Sequence, residues 1–209
     1  LAVEVLSRIG TPEVESLLKD SFWRSPQAVQ RAVVQVLARI SEATSVDFFM
    51  DLLARHTDGK VLKAAASLLG QKLRHAPATD LLFRLLEHQY DDVKEAALDA
   101  LVAVGTPEIQ KAFQGMFGGL DPIRRLMAVY ALGKIDPSSN IEILRAGLED
   151  EIPDIRKVSL EAIAGVCYED EVWAALLSAR LLDENRDVRQ PVVEIMGRCY
   201  SPKLLPSLV

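Results

Sequence analysis

The stretch Asp121–Ile135, DPIRRLMAVYALGKI, decides how the chain is read. Ala128, Ala131, Leu132 and Ile135 follow the i, i+3, i+4, i+7 spacing of one helix face. Asp121 stands where a helix N-cap is wanted. Pro122 suits the first turn, because a first-turn N–H has no intrahelical partner to lose. Five further stretches restate the pattern, beginning at Pro26, Asp58, Tyr90, Ile152 and Asn185. The fourth residues of the six copies are Val29, Val61, Val93, Arg124, Ile155 and Val188, spaced by 31 to 33 residues. The twelfth are Leu37, Leu69, Leu101, Leu132, Ile163 and Met196. A fixed period of this length marks stacked repeats.

A second apolar segment lies ahead of each copy: VESLLKDSF, VDFFMDLLA, TDLLFRLLE, IQKAFQGMF, NIEILRAGL and VWAALLSAR. Each repeat is therefore a helix pair. The phrase GTPEV at Gly10 returns as GTPEI at Gly105, 95 residues or three repeats later. It reads as punctuation: Gly ends one helix, Thr caps the next, Pro fits its first turn and Glu complements its dipole. Gly70, Gly133 and Gly197 share the thirteenth position. Glycine inside a helix costs about 1 kcal/mol relative to alanine, so a close backbone approach is expected there. Two departures stand out. Arg124 sits where an apolar residue is wanted, and Ile123 takes its place if that helix starts slightly rotated. Pro191 falls inside the last copy, where it should kink the helix or delay its start.

The pattern D-P-x-x-R-x-x-A-x-x-A-L-G-x-I at Asp121 to Ile135 resembles HEAT repeats, especially the short bacterial HEAT-like kind found in phycobilin lyases and many adaptor proteins. The resemblance covers nearly the whole chain. It implies an all-α αα-superhelix of about six full helix pairs with partial pairs at both ends. We expect residues 1–209 to be one such solenoid and a fragment of a longer chain, since the sequence lacks an initiator Met and opens inside a second helix.

Composition narrows the function. With 49% hydrophobic and 26% charged residues, the chain suits a folded protein. No apolar run reaches the roughly 18 residues of a membrane helix, and the net charge of −6 argues against a nucleic-acid partner. Two cysteines, Cys167 and Cys199, make no disulfide framework and fit a reducing compartment, so a cytoplasmic location is expected. The two are expected to be separate thiols. His56, His75 and His88 lie near turns and read as surface or capping residues. None is followed by Glu, which removes the paired ligand steps of HEAT-like iron hydroxylases, so no metal or cofactor is expected. A cation recurs at the fifth position as Lys94, Arg125, Arg156 and Arg189, and is expected to pair with turn acids such as Asp91, Asp121, Asp154 and Asp187.

In HEAT-like arrays the second helix of each pair lines the concave side. Off-stripe positions there are acidic in the third copy, at Asp92, Glu95 and Asp99, and again at Glu161 and Glu194. The fourth copy carries Ile123, Leu126 and Tyr130 instead. A tyrosine among apolar neighbours, ringed by charge, has the composition of an interface hot spot. The expectation is a non-enzymatic scaffold that binds a protein or peptide with an apolar anchor and a basic flank. The alternative is a bilin-lyase-like or other protein-modifying subunit.

Overall fold

Six apolar-striped pairs of segments become six pairs of helices. The computed structural model describes residues 11–40, 45–164 and 171–198, and no strand occurs among them. The chain divides after Thr106 into two compact units. In the N-terminal unit, α1 (Pro12–Phe22) pairs with α2 (Gln27–Ile40), α3 (Val46–Arg55) with α4 (Gly59–Ser67), and α5 (Thr79–Leu85) with α6 (Asp91–Val104). In the C-terminal unit, α7 (Pro107–Phe117) pairs with α8 (Pro122–Ile135), α9 (Ile141–Gly147) with α10 (Pro153–Ile163), and α11 (Glu171–Leu181) with α12 (Arg186–Arg198). Second helices also pack on second helices: α4 on α2 and α6, and α10 on α8 and α12. This is the stacking of an all-α solenoid.

The stripe read from the sequence is the core. Every eighth and twelfth residue of the six copies is buried, from Val33 and Leu37 to Val192 and Met196. Ser159 takes the eighth position in α10, and its hydroxyl donates to the Ile155 carbonyl at 2.8 Å. Gly147 makes room for it, since a Cβ there would lie 2.2 Å from the Ser159 Oγ. The ninth position is less uniform: Val193 is 58% exposed. Ile123 is 61% exposed, so it does not replace Arg124 in the stripe, and the first turn of α8 buries Arg125 rather than an apolar residue.

Close approach explains two of the three shared glycines. A Cβ on Gly70 would lie 2.2 Å from the Ala100 Cβ, and one on Gly133 would lie 2.4 Å from the Ala162 Cβ. Each glycine thus meets the eleventh position of the next second helix. At Gly197 no described heavy atom lies within 4 Å of that point. Near Gly70, α4 widens into a π turn, Leu68–Lys72, in which the Leu73 N–H donates to the Leu68 carbonyl at 2.9 Å.

The GTPE phrases act as stops and starts. Gly105 ends α6 in the left-handed region, at φ 59°, and Pro12 and Pro107 open α1 and α7. The cap at Thr11 differs from expectation: its side chain makes no cap bond to the helix backbone. Instead, a backbone hydrogen bond first, and the Thr11 side chain second, lower the Glu13 carboxyl. Pro191 neither delays nor ends α12, which starts at Arg186 and runs on to Arg198. The phrase also sets a longer register. Ser45 donates to Glu15 in the N-terminal unit, and 95 residues on the buried Asn140 exchanges hydrogen bonds with Gln110 and Gln114.

Candidate protein-binding face

The cation series holds the edge formed by the turns between first and second helices. Arg125 donates to both oxygens of Asp150, at 2.9 and 3.1 Å, and to the carbonyls of Gly119 and Leu120 behind it. Arg156 repeats this one step on: both oxygens of Asp183 at 2.8 Å, and the carbonyls of Asp150 and Glu151. Arg189 again takes the two carbonyls behind it, those of Asp183 and Glu184. In the N-terminal unit Arg31, at the sixth position of its copy, donates to one oxygen of Asp58 through two nitrogens, at 2.9 and 2.6 Å. The expected partners are corrected here. Only Lys94 bonds the acid of its own turn, Asp91, at 2.9 Å. Asp121 instead caps its own helix through the Ile123 N–H. The acids that matter lie 25 to 27 residues ahead, because each arginine reaches to the next turn.

Charge follows from this geometry. Hydrogen bonds from Arg31 hold the Asp58 carboxyl below its ordinary value, against the opposing effect of burial. Burial pushes Asp150 and Asp183 up, but hydrogen bonds from Arg125 and Arg156, backbone N–H groups and nearby positive charge outweigh it and leave both lowered. These arginines are occupied in structure, which leaves them poorly suited to bind phosphate.

His56 and His88 are capping residues, as expected. Each accepts the backbone N–H two residues on at Nδ1, from Asp58 and Tyr90. His56 Nε2 faces Gln30 Oε1 at 3.1 Å, so the neutral ring with a proton on Nε2 satisfies both contacts. Burial lowers its pKa despite the nearby Asp58 charge. Cys167 and Cys199 lie outside the described residues. Among those residues, no group of three His, Cys, Asp or Glu side chains is arranged to hold a metal ion, and no helix is long and apolar enough to cross a membrane.

Two clefts open on the exposed face of the second helices in the C-terminal unit. The first, about 300 Å³, lies between α8 and α10. Tyr130, Val158 and Pro137 wall it, Gly133 and Ala162 form its floor, and Lys134 and Glu161 stand at its rim. The Lys134 ammonium lies 5.9 Å from the Tyr130 ring centre, a cation–π distance. The second cleft, about 230 Å³, lies between α10 and α12. It brings Glu161, Asp187 and Glu194 together with Lys157, Gln190 and Pro191. Glu161 belongs to both. Its oxygen lies 4.0 Å from the Lys157 ammonium, and both side chains are about half exposed.

The residues expected from the sequence fall into three groups. Tyr130, Glu161 and Glu194 line this pair of clefts. Ile123 and Leu126 precede Tyr130 on α8; Ile123 is exposed, while Leu126 is half-buried against the core of the unit. Asp92, Glu95 and Asp99 lie exposed on α6 in the N-terminal unit, where Asp92 approaches Lys63 at 3.7 Å. Sequence reasoning missed Val158 and Pro137. Val158 sits at the border of the apolar stripe, and Pro137 follows the end of α8, so neither position signals a wall by itself.

No curated protein matches the sequence. Among solved structures, the chain is similar to YibA of E. coli at 17% identity and a TM-score of 0.61, over 94% of this chain and 77% of that one. It is similar to a designed armadillo repeat protein in complex with the peptide (KR)4 at 14% identity and a TM-score of 0.53, over 88% and 98% of the two chains. The complex of CpcE and CpcF of phycocyanin lyase from Nostoc gives 16% identity and a TM-score of 0.48, over 96% and 82%. Identities this low establish fold alone. The family model for HEAT repeats matches residues 24–102, 46–118 and 109–197, which covers all six second helices in whole or in large part. The chain belongs to the HEAT-repeat family.

Proposed function

We propose that the protein is a non-catalytic, cytoplasmic scaffold that holds a segment of another protein on the second-helix face of its C-terminal unit. The observation that carries this reading is the pair of clefts sharing Glu161, one walled by Tyr130 and apolar groups, the other acidic. Aromatic side chains with a polar tip are favoured interface anchors, and a charged rim steers encounter more than it adds affinity. The armadillo relative was solved with a peptide of alternating Lys and Arg, which is in keeping with an acidic surface here. Ile123 and Leu126 extend the apolar side of this face. Asp92, Glu95 and Asp99 are proposed as an independent attraction for basic segments. The alternative is a bilin-lyase-like or other protein-modifying subunit.

A displayed peptide library selected on the full chain tests the reading. Wild type should enrich peptides that the double variant Tyr130→Ala, Glu194→Lys fails to hold while its circular dichroism stays unchanged. Equal capture by the variant, or no enrichment on wild type, overturns the proposal.

A further inference from the structure

Each cleft is at or below the low end of the range for small-molecule sites, roughly 300–1,000 Å³, so each suits one side chain rather than a whole ligand. The two differ in kind. The first offers an aromatic ring, Val158, Pro137 and a floor of Gly133 and Ala162. The second sets three carboxylates against one lysine. Lys157 is loosely held, with its ammonium 4.0 Å from Glu161. Pro191 adds a further feature. It lacks the N–H that would bond the Asp187 carbonyl, so a backbone acceptor on a residue lining this cleft loses its usual intrahelical donor.

We infer that one extended chain segment occupies both clefts in register: an aliphatic or aromatic side chain in the Tyr130 cleft, and a lysine or arginine in the acidic cleft, where it displaces Lys157 from Glu161. The inference rests on the proposed binding face and specifies its partner. Packed helices lie about 8–10 Å apart, and a chain extended as polyproline II advances about 3.1 Å per residue and returns to the same face every third residue. The two side chains are therefore about three residues apart. Lys157 acts as a weak internal competitor, so its removal favours the cation.

Fluorescence anisotropy with the full chain and labelled decapeptides tests this. A peptide carrying Leu-Ser-Ser-Arg should bind about tenfold tighter than versions with Leu→Ser, with Arg→Glu, or with Leu and Arg adjacent. Lys157→Gln should tighten the parent peptide about threefold. Pro191→Ala, which returns an N–H to the Asp187 carbonyl, should weaken it. Glu194→Lys should lose the preference for Arg over Glu. Binding that Tyr130→Ala abolishes but that ignores spacing and charge overturns the register and leaves the face intact. Lys157→Gln with unchanged or weaker binding overturns the competitor role. If none of the peptides binds, the face itself is wrong.

Discussion

Gly70 shows how much of the stacking is settled by single atoms. Its absent Cβ would lie 2.4 Å from the Ala100 Cα, which is backbone and has little room to yield. Gly70→Ala should cost about 3 kcal/mol through overpacking, read as a lowered melting temperature. This glycine was legible because it recurred at one repeat position; the lack of a contact at Gly197 was not, since the pattern carries no distances. Arg156 makes the opposite point. Removing it takes both short guanidinium bonds from Asp183, whose side chain is 3% exposed, and leaves it the longer Arg180 contact at 3.4 Å and the Asn185 N–H. Arg156→Ala should therefore destabilise by about 3 kcal/mol, whereas Arg156→Met with Asp183→Leu should recover most of the loss. Urea titrations of the two variants check this. The same groups set the response to acid. Asp58, Asp150 and Asp183 have folded values below the ordinary 3.8, so their contribution is complete above about pH 4 and is lost as pH falls through those lowered values. His56 acts in another window. Its folded value lies below 6.5, so the unfolded chain takes up the proton first, and stability declines as pH drops from about 6.5 towards the folded value. In His56→Gln the decline between pH 6.5 and 5 should shrink, as measured by thermal melts at each pH.

At the scale of elements, α12 carries an internal proline and stays a helix. Pro191→Ala should restore one backbone hydrogen bond and stabilise the chain by about 1–3 kcal/mol, seen as a rise in melting temperature. Greater stability with weaker cation binding would mark a residue kept for the cleft rather than for the fold. The second helices were readable from the sequence because a stripe, a capping acid or a proline, and a fixed period all agree. The first helices α5 and α9 are only seven residues each, too short to show a face clearly. The clefts were half readable: Tyr130, Glu161 and Glu194 share the tenth, off-stripe position of three successive copies, but the facing walls come from a neighbouring helix. The same holds for the arginine partners. Asp150 and Asp183 look like ordinary turn acids until the 25 to 27 residue separation is closed in space.

For the whole molecule, repeat stacking makes stability a sum over neighbours. Gly133→Ala, which strains α8 against Ala162, should lower amide-exchange protection in residues 107–198 more than in residues 11–104, as read by mass spectrometry. A uniform loss would show tighter cooperativity than nearest-neighbour contacts supply. The turn edge and the cleft face of the C-terminal unit also differ mechanically. Along the edge, Arg125 and Arg156 tie each turn to the next by paired, short bonds. On the face, the loose Lys157–Glu161 pair stays within α10 and ties it to neither α8 nor α12. Bending is then easiest about the arginine edge, which serves as a spine. Glu161 is a wall of both clefts, so tilting α10 towards α8 narrows the apolar cleft and widens the acidic one. A side chain seated in either cleft sets the bore of the other.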